Sequence, residues 1–315
     1  MNERRLPCFK SHGTPPVFIL LAATLLFSAC KDSGEAKKIK LRAAVTSGTS
    51  EAGAVDANSA PLRISVAAML SPEASFVMYK ELAEYIGKRL DRPVKIIFKK
   101  TYAETNDSLK NSESDMAFIC TGAYIAAKNV FPLDIIAVPV VNGKMTYNSV
   151  IVVPKNSPVH ALSDLKGKTF AFTDEFSLTG NLYVKVKLSE LGQNSSGFFG
   201  ETFFTGSHDN SIKAVSQGFA DAACVDSLIY EALLKAGDLY AKRLRIIEKS
   251  PPFGIPPLVA RVGLSSGIKD KLRIILLGMH KNKEGTRILR ALSVEWFAVP
   301  PPGLYSYAEK VLGKR

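Results

Sequence analysis

The sequence predicts an α/β protein of two lobes built on mostly parallel sheets. Two observations carry that reading. Short β-type runs alternate with helical patterns from Leu62 to Ile247, the order that parallel strands with covering helices require. The chain has 315 residues, 46% hydrophobic and 22% charged, an ordinary globular balance over a length that suits two lobes. No repeat with a period of about 20–50 residues is visible, so a solenoid is excluded.

The elements follow in order. Leu62, Ile64 and Val66 alternate as a strand. Ser71-Pro72-Glu73 then opens a helix, with Ser as N-cap, Pro at the first helical position and an early acid. Phe76, Tyr79, Leu82, Ala83, Ile86 and Leu90 recur at helical spacing. A strand at Val94–Phe98, a short helix at Tyr102–Leu109, a strand at Met116–Ile119, a helix at Ala123–Lys128 and a buried strand at Ile135–Val141 continue the alternation. A second series begins with a strand at Tyr147–Val153, a helix start near Ser163 and a strand at Thr169–Phe172. It runs on through a helix from about Thr179 to Leu191, a strand at Glu201–Phe204, a helix at Asn210–Gln217, a strand at Ala222–Val225, a helix at Leu228–Ala236 and a strand at Leu244–Ile247. Pro251-Pro252 and Pro256-Pro257 interrupt the chain. Helical patterns return at Lys269–Met279, at Glu284–Leu292 and, after Pro300-Pro301-Pro302, at Tyr305–Leu312.

The first 29 residues read as an export signal. Arg4, Arg5 and Lys10 precede an apolar run from Val17 to Ala29, too short to span a bilayer comfortably. The ending Leu26-Phe27-Ser28-Ala29-Cys30 resembles a bacterial lipobox, in which cleavage precedes a lipidated Cys. Residues 30–61 are rich in Lys, Ala, Ser, Gly and Thr and hold no aromatic residue, which predicts a flexible tether. Cys120 and Cys224 fall inside apolar strand patterns and read as buried thiols. Of the formal charge of +12, residues from Leu62 onward carry +9. Lys and Arg are spread along the chain without a basic, aromatic-interleaved stripe, which argues against nucleic acid. A diffusely positive surface facing acidic headgroups, or guiding small anions, fits better.

Catalytic motifs are missing. The sequence contains no G-x-x-x-x-G-K-[ST] or G-x-G-x-x-G phosphate loop, no H-E-x-x-H and no G-x-S-x-G. Ser163-Asp164-Leu165-Lys166 matches S-x-x-K, but neither S-D-N nor K-T-G follows, and the stretch reads as a helix cap and turn. The expectation is a binding protein without catalytic residues, metal ligands or cofactor.

Three polar clusters fall where a strand gives way to a helix: Ser177-Leu178-Thr179-Gly180-Asn181, Gly206-Ser207-His208-Asp209-Asn210 and Val225-Asp226-Ser227. The C-terminal ends of strands define the ligand crevice of an open α/β sheet. Helix N-termini there offer unpaired N–H groups, hydroxyls add donors, and Gly180 allows close backbone approach. Such a site can hold a compact oxyanion without Lys or Arg. Each residue also has a plain structural role open to it: Ser177 and Asp226 as helix caps, His208 as a surface or satisfied core side chain.

From about Leu62 to Val311 the chain resembles the phosphonate and phosphite-binding subunits of ABC importers, which are type II periplasmic binding proteins. The matching stretches, in family order, are Ser71-Pro72-Glu73, Tyr102, Asp115-Met116-Ala117-Phe118 with Ala123-Tyr124, Gly143-Lys144-Met145-Thr146-Tyr147-Asn148-Ser149, Leu165-Lys166-Gly167-Lys168, Ser177-Leu178-Thr179-Gly180, Gly206-Ser207-His208-Asp209, and Asp221-Ala222-Ala223 with Val225-Asp226-Ser227. The resemblance implies two lobes, 62–148 plus 251–315 and 149–250, with crossovers near Ser149 and Ser250 and a ligand cleft between them. It implies that Ser177, Thr179 and the backbone about Gly180 hold phosphoryl oxygens and that His208 is a further donor. It implies Tyr102 and Tyr147 as cleft hydroxyls and Asp226 as the acid that takes a ligand proton, with Tyr124 either in the cleft or in the core. Leu178 interrupts the family's Ser-Thr-Ser-Gly run, and Thr121-Gly122 stands in place of Gly-Pro. Ile255-Pro256 is followed by Pro257-Leu258, so the acid that would meet a ligand amine is missing there. The implied ligand is therefore phosphite, phosphate or a simple phosphonate. The implied setting is a monomeric protein outside the cytoplasm, anchored to a bacterial membrane by lipid on Cys30 and serving an ABC permease. A ligand sensor of the same fold, signalling to a membrane kinase or cyclase, is the alternative.

Overall fold

The computed structural model describes residues 60–313. The segment read as a leader, Cys30 and nearly all of the tether lie outside the described residues. The first half of the fold runs β1 (Leu62–Val66), α1 (Pro72–Leu90), β2 (Val94–Phe98), α2 (Tyr102–Lys110), β3 (Met116–Phe118), α3 (Thr121–Lys128) and β4 (Leu133–Val140). A short strand β5 (Thr146–Tyr147) leads to β6 (Ser149–Pro154), β7 (Thr169–Phe172), α4 (Tyr183–Glu190), α5 (Ser195–Phe198) and β8 (Glu201–Phe204). Then come α6 (His208–Ser216), β9 (Ala222–Asp226), α7 (Ser227–Lys235), β10 (Leu244–Lys249) and β11 (Phe253–Gly254). The chain closes with β12 (Leu258–Arg261), α8 (Ser266–Leu277), α9 (Lys283–Ala291), β13 (Trp296–Ala298) and α10 (Ser306–Leu312).

Two sheets organise these elements, one of order β13-β4-β12-β3-β1-β2 and one of order β10-β6-β9-β7-β8. The expectation of mostly parallel sheets needs correction. Parallel pairing is confined to β2–β1–β3 and β9–β7–β8. The other ladders are antiparallel. The reason is the double crossover. Strands of the βα units point toward the cleft, whereas β6 and β12 arrive from the other lobe and must run away from it.

Each lobe has its own core. Leu62, Ile64 and Val66 of β1 pack under Leu82, Tyr85 and Ile86 of α1 and under Leu272, Leu276, Ile288 and Leu289 of α8 and α9. In the second lobe Val150, Val152, Ala223 and Val225 meet Ile212, Val215 and Tyr230. A third apolar cluster joins the two lobes and includes Tyr102, Tyr147, Phe170, Phe172, Leu178 and Phe253.

Three local readings change. Phe76, placed on the apolar stripe of α1, is 54% exposed. The run Tyr147–Val153 breaks at Asn148, where the chain leaves the β5–β11 ribbon for the second sheet. β12 and β13 were not expected from the sequence. Cys120 and Cys224 are buried free thiols. Ser163 lies in an exposed 3-10 turn, Leu162–Leu165, where Asp164 accepts from the backbone of His160 and Ala161.

Candidate functional site

The C-terminal ends of β7 and β9 and the start of α6 build one buried cluster. After β7 the chain makes a tight turn in which Ser177 caps a π-helical segment, Leu178–Leu182. The N–H of Gly180 donates to Ser177 Oγ at 3.0 Å, and Thr173 N–H donates to the Gly180 carbonyl at 2.8 Å. The expected role of Gly180 therefore changes. A Cβ there would lie 2.4 Å from Thr173 Oγ1 and 2.9 Å from His208 Cε1, so glycine is required for those side chains to pack against the turn. Its N–H is spent on the cap.

His208 is buried at the start of α6, with Nδ1 facing the backbone N–H of Asp226 at 3.1 Å and Thr173 Oγ1 at 3.2 Å. A backbone N–H can only donate, so Nδ1 is the acceptor and the ring proton sits on Nε2. Nε2 faces Ser177 Oγ at 3.5 Å. Burial pushes the imidazole down to about 3, against the pull of Asp209, so the ring is a neutral donor near pH 7.

Asp226 ends β9 and caps α7, its Oδ1 accepting from Leu228 at 2.7 Å and Ile229 at 3.4 Å. Burial raises this carboxyl to about 7, against the hydrogen bonds from those two amides. It thus carries a proton that it can offer or surrender near neutral pH.

The first lobe contributes two tyrosines. Tyr102 and Tyr147 are fully buried, and their hydroxyls find no hydrogen-bond partner among the described residues. Burial above all raises both phenols, and each also feels the charge of Asp226 and Cys120. Tyr102 lies close enough to Ser177 to interact with it, though outside hydrogen-bond geometry. Thr179 Oγ1 is a third buried hydroxyl without a partner, while the Thr179 carbonyl accepts from Ser149 Oγ at 2.7 Å. Buried polar groups are nearly always paired, so these hydroxyls, drawn from both lobes, leave the cluster with open hydrogen-bonding capacity. None of these groups is Lys or Arg.

The structure brings Ser177, Thr179, Gly180, His208, Asp226, Tyr102 and Tyr147 into this one region. Tyr124 is set apart, and its candidate role in the cleft is corrected. Its ring packs 4.9 Å from Tyr305 with Lys128 at 5.6 Å, and the charges it feels are those of Lys128 and Glu309. It belongs to the packing of α3 on α10.

Contacts not anticipated from the sequence fasten the lobes together. Asp174 accepts from Tyr102 N–H, at the start of α2, at 3.1 Å and from Phe176 N–H at 2.8 Å. Asp209 accepts from Ser71 N–H, at the start of α1, at 3.0 Å, and His208 N–H donates to the Met69 carbonyl at 3.1 Å. Acidic groups of one lobe thus meet helix N-termini of the other, where the helix dipole favours them. Cys120, before α3, adds its thiol to the cluster, raised to about 11 by burial against a backbone hydrogen bond from Leu178. Asp174 sits just past the end of β7, the crevice edge, and that position was the available signal.

Comparison with known proteins agrees with this architecture. The family model described as ABC transporter, phosphonate, periplasmic substrate-binding protein matches residues 64–302. A probable ABC-transporter phosphite-binding protein of Prochlorococcus marinus (strain MIT 9301) is 25% identical over 238 residues, 72% of this chain and 80% of that one. A phosphonates-binding periplasmic protein of Escherichia coli (strain K12) is 27% identical over 210 residues, 65% of this chain and 62% of that one. A Prochlorococcus marinus (MIT 9301) protein solved in complex with methylphosphonate superposes with a TM-score of 0.73 at 22% identity, over 80% of this chain and 97% of that chain. That likeness establishes the two-lobed type II binding-protein fold.

Proposed function

The chain belongs to the family of periplasmic phosphonate-binding proteins of ABC transporters, and from that premise we propose that it captures a small phosphorus oxyanion for an importer while anchored by lipid at Cys30. Phosphite, phosphate and simple phosphonates are the ligands that suit the site. The protein acts by binding and release, with no reaction at the cleft.

The observation that carries the reading is the set of buried hydroxyls of Tyr102, Tyr147 and Thr179 that have no partner, drawn from both lobes. The Nε2–H of neutral His208 and the Ser177 hydroxyl stand beside them. A tetrahedral oxyanion offers three or four acceptor oxygens, which these donors would satisfy together. Asp226, raised by burial to about 7 and so present in both forms near neutral pH, gives one more donor when protonated or accepts a P–OH proton when ionised. Hydrogen bonds to a charged group contribute roughly 1.5–3 kcal/mol each. Lobe closure and immobilisation offset several kcal/mol of that sum. A micromolar dissociation constant needs about 8 kcal/mol net.

Calorimetric titration of ligand-stripped protein with phosphite, phosphate, methylphosphonate and sulfate tests the proposal. A phosphorus oxyanion is expected to bind best, and Ser177→Ala or His208→Ala to weaken it about tenfold or more. No heat with any of the four anions would overturn the reading. Mass spectrometry of the membrane-derived protein tests the lipid on Cys30 separately.

A further inference from the structure

The positive charge of the chain is unevenly placed. Residues 149–250 hold 11 basic and 11 acidic side chains, whereas residues 251–315 hold 11 basic and only four acidic ones. Much of the excess lies on α8, α9 and the turn between them. Lys283, Arg287 and Arg290 stand at i, i+4 and i+7 on α9, one stripe of the helix. With His280 and Lys281 they line a surface concavity of about 510 Å³. Lys281, Lys283 and Arg290 are exposed and have no acidic partner among the described residues.

The location of this patch gives it meaning. Arg89, in the last turn of α1, pairs with Glu284 of α9 at 3.1 Å, and Arg287 pairs with Glu81 of α1 at 2.9 Å. Just beyond that turn, the Arg92 guanidinium donates to the carbonyl of Ala60. The chain therefore enters the first lobe beside the basic patch. Exposed Lys88 and Lys95 lie at the same end. The ligand cluster is at the other end of α1, next to Ser71. Nineteen helical residues separate the two ends, a span of about 28 Å. Binding at one end leaves the other free.

We propose that this basic pole of the first lobe is an electrostatic contact surface for anionic phospholipid headgroups. The proposal builds on the reading of Cys30 as a lipid anchor. If the 32 residues from 30 to 61 act as the tether their composition predicts, their root-mean-square reach is about 30 Å, which would hold the pole where the chain enters nearest the membrane. Clustered Lys and Arg near an anionic leaflet add their attractions, and salt screens them. The lobe that carries no net charge has no such preference.

The test uses residues 30–315 with Cys30→Ser, so that neither a lipid nor the apolar run Val17–Ala29 contributes, sedimented with vesicles of phosphatidylglycerol mixed with phosphatidylcholine or of phosphatidylcholine alone. Binding to the anionic vesicles at low salt, lost at high salt, is expected. Lys281→Glu with Lys283→Glu and Arg290→Glu should lower it about tenfold or more. The charge-matched set Lys166→Glu, Lys235→Glu and Lys242→Glu, exposed on the second lobe, should change it less than about twofold. The corresponding Gln substitutions at 281, 283 and 290 should give an intermediate loss. Equal losses from the two Glu sets, or no binding to anionic vesicles, overturn the proposal. So does vesicle binding that survives the pole substitutions while importer-dependent uptake fails, which would assign the surface to an acidic protein partner. Missing lipid on native Cys30 would remove the anchor reading and leave the vesicle result standing.

Discussion

His208 and Asp226 touch through a single backbone hydrogen bond, yet burial drives their protonation in opposite directions. In the folded chain His208 stays neutral between its ordinary 6.5 and about 3, where the unfolded chain is protonated, so its contribution to stability is lost as pH falls through that window. Nitrogen-15 NMR should show an Nε2–H imidazole that does not titrate near pH 6.5. Asp226 holds a proton in the fold between 3.8 and about 7 that the unfolded chain has released, so its contribution to stability falls as pH rises through that window. Asp226→Asn keeps the Oδ1 cap and removes this effect. Urea unfolding should show the variant gaining on the natural protein from about pH 4 to about pH 8, by on the order of 3–4 kcal/mol. A difference that does not change with pH would contradict the assignment. Oxyanion affinity should likewise decline above pH 7 in the natural protein, as Asp226 ionises beside the ligand, and decline less in the variant. Ser177 and His208 were legible in the sequence because strand ends locate the crevice. Asp174 lies at the same strand end, but its bond to Tyr102 was not legible, because that partner lies 72 residues away and no local pattern records such a pairing.

Among the elements, β12 shows where sequence patterning fails. Leu258, Val259 and Ala260 form a short apolar run after two Pro pairs, without alternation, because both faces of a central strand are buried. What identifies the strand is Asp115. Its carboxylate accepts from Arg63 of β1 at 3.0 Å and from Arg261 of β12 at 2.9 Å, pinning three adjacent strands at one end. Burial alone would raise this carboxyl, but the hydrogen bonds from Arg63 and Arg261 prevail and hold it below its ordinary value. Its contribution is therefore present above the unfolded pKa of 3.8 and lost as pH falls through the lower folded value. Asp115→Ala leaves two half-buried guanidinium groups without their partner and should cost about 2–4 kcal/mol in chemical denaturation. A loss smaller than about 0.5 kcal/mol would mean that the three-strand tie is dispensable. The π-helical turn at 178–182 was read as ordinary helix. Its signal, a glycine three residues after the capping Ser, becomes readable only when Thr173 and His208 are seen filling the space a Cβ would need.

At the scale of the whole molecule, the alternation of strands and helices made two α/β lobes legible, while the antiparallel returns depended on connections between lobes that periodicity does not encode. Closure rests on a few close approaches. A Cβ on Gly122, in the first turn of α3, would come 2.3 Å from the Phe176 carbonyl and 2.9 Å from Leu178 N across the interface. Alanine suits a helix better than glycine, so Gly122→Ala should leave lobe stability intact while holding the lobes apart. Small-angle scattering should show a larger radius of gyration, and calorimetry at least about tenfold weaker ligand binding. Unchanged affinity would show that the lobes close differently. Where the chain passes between lobes, Ser149 N–H donates to Ser250 Oγ at 2.9 Å and Ser250 N–H to the Ser149 carbonyl at 2.9 Å, so the outgoing and returning strands are knotted side by side. The hydroxyl of the same Ser149 grasps the carbonyl of Thr179. Pivot and grip thus share one fastener. If the turn at 177–180 holds the guest as proposed, torsion of the hinge would tug on it, and letting go would be a mechanical result of opening rather than a separate event.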